Sequence, residues 1–159
     1  MVPVDIDIRH VGDKSYVEIR GVVDENANFD ALATLRERAE VNLRGVRRIN
    51  SYGARAWMDA LRRVAESTRL EFVECSSPVI DQINMLEGFL AHAPVRSFVA
   101  PLVCEHCDVQ IDHVFDTREV RNHHQSLPPV ECDRCHRPMV LDDLEDQYLL
   151  FLREPTKLR

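Results

Sequence analysis

The chain has 159 residues, 45% of them hydrophobic and 30% charged, with a formal net charge of −7. That length holds one ordinary domain plus a small one, and the composition is that of a globular protein. Nowhere do about 18 apolar residues run together, which excludes a membrane-spanning helix.

The start, Met1-Val2-Pro3-Val4-Asp5, has no basic segment followed by an apolar one. No secretory signal is expected, and the cytoplasm is the expected compartment. Val4, Ile6 and Ile8 then alternate with Asp5, Asp7 and Arg9, and Val17 and Ile19 with Tyr16, Glu18 and Arg20. This period of two predicts two half-buried strands, with Gly12-Asp13 as the hairpin turn between them and Gly21 ending the second. Asn28 can cap a helix carrying Phe29, Leu32 and Leu35.

A third strand begins at Val41 and runs toward Ile49. Asn50-Ser51-Tyr52-Gly53 turns the chain into a helix. Its apolar face is Ala54, Trp57, Leu61 and Val64; Arg55, Asp59, Arg62 and Arg63 form the other. Leu70-Glu71-Phe72-Val73 is a fourth strand. Ser77-Pro78 opens a helix bearing Val79, Ile83, Leu86 and Leu90, because Ser can cap and Pro suits the first helical position. Ser97-Phe98-Val99-Ala100 is a fifth strand. The order ββαβαβαβ predicts an α/β or α+β fold with a mixed sheet. A boundary near Ala100-Pro101 separates residues 1–100 from a small domain at 101–159.

That tail holds two CxxC pairs, Cys104-Glu105-His106-Cys107 and Cys132-Asp133-Arg134-Cys135. In a reducing compartment such pairs read as metal ligands, not disulfides. Two thiolates from each turn complete a tetrahedral sulfur site suited to Zn²⁺, the pattern of a zinc ribbon. The 24 intervening residues make a slightly long gap, and loop closure depends only weakly on length. Asp108 and His136 follow the two pairs where glycine often stands; both residue types tolerate left-handed backbone. A closed four-thiolate site makes the zinc structural. Redox chemistry at one pair is the competing reading. His113, His123 and His124 lie between the pairs, either as exposed loop residues or as substitute ligands. Beyond the second pair, Leu141, Leu144, Tyr148 and Phe151 recur with a helical period. Asp142 and Asp143 start that run, where negative charge suits the helix dipole, and Pro155 stops it; a terminal helix or extended segment packing against the ribbon or the first domain is expected.

Charge is unevenly spread. Residues 1–98 carry −2 and residues 99–159 carry −5. Four thiolates with one Zn²⁺ add about −2 more to the tail. A module that negative suits a phosphate backbone poorly.

Three features resemble the STAS family, the domain of anti-sigma-factor antagonists. The stretch from Val41 through Asn50-Ser51-Tyr52-Gly53-Ala54 looks like the family's strand, Asp-Ser-Ser-Gly turn and helix. Arg20-Gly21-Val22-Val23-Asp24 is similar to its Gly-x-x-Asp turn. The succession of strand, Ser-Pro and helix over residues 70–90 is the third; together they cover roughly residues 4–98. The resemblance implies a bacterial, non-enzymatic signalling adaptor that acts by protein–protein binding. It implies a partner that is an anti-sigma factor, a sensory kinase or a transporter subunit. The implied contact surface is Asn50, Ser51, Tyr52 and Gly53, the helix residues Arg55 and Arg62, and Asp24 at the same edge. In many family members the partner phosphorylates the second serine of that turn, and the added charge ends binding. Tyr52 stands at that position. The usual serine switch is therefore not expected in this chain. Nucleic-acid binding by the ribbon on a STAS-like scaffold, a role zinc ribbons often serve, is the alternative function, and the negative charge of the tail argues against it.

Arg44, Arg47, Arg48, Arg55, Arg62 and Arg63 cluster around the third strand and second helix. They form either a solvated face or a docking surface for an acidic partner. Asp24 can equally serve as a turn stabiliser. Trp57 is expected in the core with its indole N–H partnered, and Cys75 as a small buried hydrophobe. No Gly-rich phosphate loop, local nucleophile–base pair or paired-acid motif is present, so enzymatic activity is not expected.

Overall fold

The computed structural model describes residues 3–153 of the chain. Pro155, expected to end the last helix, lies outside the described residues. The fold is mixed α+β.

Strands β1 (Asp5–Val11) and β2 (Lys14–Val23) form the expected antiparallel hairpin around Gly12. β2 pairs in parallel with β3 (Arg38–Ile49), and β3 in parallel with β4 (Arg69–Val73), giving a mixed four-stranded sheet in sequence order. Parallel neighbours need crossovers, supplied here by a 3₁₀ turn (Asp30–Thr34) and by helix α1 (Ser51–Ala65). Helix α2 (Ser77–Met85) then leads to β5 (Ser97–Cys104).

Alternation on β2 and β3 buries Val17, Ile19, Val23, Val41 and Leu43 against the apolar face of α1. Trp57 is the centre of this core. Its ring lies 5.4 Å from Phe29 and 6.1 Å from both Phe72 and Phe89. The indole N–H donates to the Phe89 carbonyl at 2.9 Å, so the buried polar atom is satisfied.

Two predicted helices differ. The segment after Asn28 makes only the 3₁₀ turn, with Asn28 Oδ1 accepting the Asp30 N–H. Leu35 is already extended, and the Arg36 N–H is held by Ser15 Oγ, so the chain must rejoin the sheet at Arg38. Helix α2 stops at Met85 because Leu86 is extended and Gly88 takes φ +75°. Leu90 therefore reaches the core from a loop, not from the helix.

β5 belongs to both halves of the molecule. Near its start, backbone bridges join Val95 to Phe72 and Phe98 to Cys75, extending the first sheet in parallel. Further along, β5 is the middle strand of a second, antiparallel sheet with β6 (Val109–Asp116) and β7 (Val140–Leu141). Ala100-Pro101, the expected boundary, falls within this strand. Helix α3 (Thr117–Asn122) follows β6. Where a terminal helix or extended segment is expected, the chain forms a mixture: β7, a single turn α4 (Glu145–Tyr148) and a 3₁₀ turn (Leu149–Leu152). Leu141 is spent on pairing with Leu102, and Leu144 is exposed, which breaks the helical period.

A second aromatic group of Phe98, Phe115, Tyr148 and Phe151 closes the tail onto the first sheet. The buried Tyr148 hydroxyl donates to the Val99 carbonyl, and the Asn84 side-chain amide donates to the Gln147 and Tyr148 carbonyls. Side chains from both halves thus share one apolar cluster.

Candidate metal centre and the adjoining surfaces

Cys104 ends β5, and the turn to β6 brings Cys107 back beside it. Cys132 and Cys135 sit on the matching turn before β7. The four sulfurs lie within 4.8 Å of one another, so one ion can be held by all of them. A tetrahedral zinc with about 2.3 Å bonds would place its sulfurs about 3.8 Å apart. Cys104 and Cys135 are already 3.5 Å apart.

The two turns repeat one backbone design. The N–H of Asp108 donates to the Cys104 carbonyl at 2.8 Å, and that of His136 to the Cys132 carbonyl at 2.9 Å. Asp108 has φ +57° and His136 φ +61°. These are the positions following each pair, where glycine is usual, and the left-handed backbone foreseen for them is present. Backbone N–H groups also point at sulfur, from Cys107 to Cys104 and from Arg134 to Cys132. Such donors favour thiolate over thiol. The Cys107 N–H draws Cys104 down to about 7. Cys107 is pushed up, chiefly by hydrogen bonding with Cys135, which favours its thiol, and then by burial. Four crowded sulfurs cannot all carry charge unaided; a divalent cation removes that conflict. The donor set and its N–H support therefore fit a thiophilic metal.

None of the three intervening histidines joins this group among the described residues. His113 is half-buried on β6, its ring 4.6 Å from that of Phe115. His123 is tied to Ser126, and His124 is exposed. His106 Nδ1 and Arg137 Nη1, 3.1 Å apart, link the two turns, a contact with no local sequence signal.

Cys75 stands apart, fully buried between β4 and β5. Burial pushes its thiol up to about 12. Reaction with iodoacetamide near pH 8 is expected to be more than about a hundredfold slower than for a free cysteine, because thiolate is the nucleophile. Peptide mapping after timed labelling measures this. Ready alkylation of Cys75 in the native protein would mean that β4 and β5 separate easily.

At the carboxyl end of β3, Asn50 caps α1. Its Oδ1 accepts the Gly53 N–H at 2.8 Å, its own N–H donates to the Val23 carbonyl at 3.0 Å, and its amide donates to Glu25. Ser51 and Tyr52 face solvent, Tyr52 at 71% exposure. Asp24 Oδ1 accepts the Asn26 N–H at 2.9 Å, so its carboxylate stabilises the turn beside the cap. A groove of about 640 Å³ runs between α1 and α2, lined by Ser51, Arg55, Met58, Arg62, Met85 and Leu86. Met85 is 68% exposed, an apolar contribution to this surface that lies off the helical stripe of Val79, Ile83 and Leu86.

The arginines do not act as one patch. Arg44 pairs with Glu74 and Arg62 with Asp59. Arg55 has no ion pair among the described residues. The structure thus brings Ser51, Arg55 and Arg62 to one groove, with Asn50 at the cap that precedes Ser51, and leaves Arg44 on the interior strand β3, paired with Glu74.

Among the described residues, no helix is long and apolar enough to cross a membrane. No protein-family model matches this chain, and no curated protein matches it.

Proposed function

We propose that the chain is a cytoplasmic STAS-like adaptor with a structural zinc ribbon, acting by protein–protein binding and not by catalysis. The observation that carries this reading is the capped turn Asn50-Ser51-Tyr52-Gly53 opening onto the α1–α2 groove. Exposed apolar atoms of Met85 and Leu86 line this groove together with Arg55, which has no ion pair among the described residues. An apolar floor with a cationic rim fits a protein partner that presents apolar side chains and a carboxylate. The partner class is the one implied by the family: an anti-sigma factor, a sensory kinase or a transporter subunit. With Tyr52 where the family carries its phosphoacceptor serine, the turn stays competent for binding in the absence of a serine switch. Zinc is the ion assigned to the four cysteines, because four thiolates in tetrahedral reach suit it and leave no open coordination position.

Arg55→Glu combined with Arg62→Glu tests the surface. Both side chains are exposed, so the melting temperature should change little. Partner capture from the source cells should fall at least about tenfold, as expected when like charge replaces complementary charge. Equal capture by the variant and the native protein would remove this face from the proposal.

A further inference from the structure

A second concavity has no part in the function proposed above. It is a cleft of about 500 Å³ at the junction of the two halves, bounded by the loop after α2, by α3 and by the final 3₁₀ turn. Leu90, Leu150 and Phe151 provide apolar wall. Arg121 and Arg153 stand at its rim, exposed and without ion-pair partners among the described residues. Glu87 is the one carboxylate lining it. The local balance is therefore positive, in a chain whose net charge is −7.

Two further observations mark the place. Thr117 Oγ1 and Asn84 Oδ1 belong to residues lining the cleft, and both atoms are buried with no hydrogen-bond partner in the protein. Buried polar atoms are nearly always paired, so two orphans beneath one cleft are unusual. Thr117 is itself 3% exposed, and its hydroxyl is a donor with no acceptor in the protein. Asn84 Oδ1 only accepts; it makes the floor polar without selecting the anion. On the loop, Ala91 and His92 take φ +52° and +61° in succession. Non-glycine residues held this way often belong to binding loops.

We infer that this cleft binds a small carboxylate with a hydrocarbon body. The guanidinium forks of Arg121 and Arg153 match a carboxylate, and the Leu90, Leu150 and Phe151 walls favour an organic anion over a bare inorganic one. The volume suits a ligand of that size. Residues from both halves form the site, so it exists only in the intact chain.

The test is titration of the ¹⁵N-labelled, metal-loaded full chain with sodium octanoate, followed by amide chemical shifts. Saturable shifts confined to residues 83–95, 117–121 and 150–153 are expected. Binding should weaken about tenfold or more in Arg121→Gln/Arg153→Gln, and likewise when neutral octanamide replaces octanoate, as loss of charge-assisted hydrogen bonds requires. The variant's own spectrum shows whether it keeps the native fold; if it does not, Arg121→Gln alone carries the comparison. Octanamide binding as well as octanoate, or the absence of saturation at millimolar octanoate, overturns the inference.

Discussion

Cys104→Ser, or treatment with a strong chelator, is expected to strip the metal and unfold the turns around it while the first sheet persists. The reason lies in how little else holds that region. Between β6 and β7, residues 123–139 contain no helix or strand, and most of their side chains are half-buried or exposed. Apart from Leu127, Val130 and Met139, which pack against the core from its margin, their order rests on the four sulfurs and a few backbone bonds. In small zinc peptides the ion contributes on the order of 10–16 kcal/mol, comparable to the whole stability of a typical domain. Upstream, Trp57, Phe72 and Ile19 are packed among residues that precede the cysteines. Metal analysis should fall from about one ion per chain, as a single four-thiolate site requires, to a small fraction. Hydrogen exchange should accelerate over residues 104–141 and stay slow in β2, β3 and α1. The shared strand β5 sets the competing outcome. If Phe98, Tyr148 and the Tyr148–Val99 bond couple the halves strongly, both will melt together, and the chain is one cooperative unit.

The elements that follow local rules were legible in the sequence. Strands β1 and β2 show clean alternation, α1 carries an apolar stripe that becomes its buried face, and the two CxxC pairs declare the sulfur cluster. Even the left-handed backbone at Asp108 and His136 follows from their place in the motif. What escaped sequence reading depends on distant partners. The terminal run has a helical period, yet Leu141 is claimed by Leu102 across the sheet. The period-two pattern of Val109, Ile111 and Phe115 in β6 is present in the sequence, hidden within a stretch that reads as a linker between ligands. The α1–α2 groove and the junction cleft arise only when separate segments meet. Their lining residues have no common sequence spacing to betray them.

Gly53→Ala should destabilise the protein, although alanine is the better helix former. Two effects oppose each other. Within a helix, replacing glycine with alanine favours folding by about 1 kcal/mol. At this position an added Cβ would lie 2.1 Å from the Val23 carbonyl oxygen, 2.4 Å from its carbon and 2.7 Å from the Asp24 nitrogen. Those atoms are backbone at the end of β2, and the same carbonyl accepts the Asn50 N–H that anchors the cap. No side chain can swing aside, so either α1 lifts from the sheet or the cap breaks. Overpacking a well-fitted interior costs about 1–3 kcal/mol and occasionally more; contacts this short against backbone belong at the upper end. The net loss of about 2 kcal/mol or more should lower the melting temperature by roughly 5 °C or more. Tyr52→Ala, one residue earlier and exposed, should stay within about 0.5 kcal/mol of the native protein. The contrast separates close backbone approach from helix propensity, which predicts that both substitutions are neutral or favourable. It also bears on the proposed adaptor role, because the Gly53 contact sets the angle at which α1 leaves the sheet and so the shape of the groove beside α2. A Gly53→Ala chain as stable as the native one would show that this end of α1 is not fixed against β2.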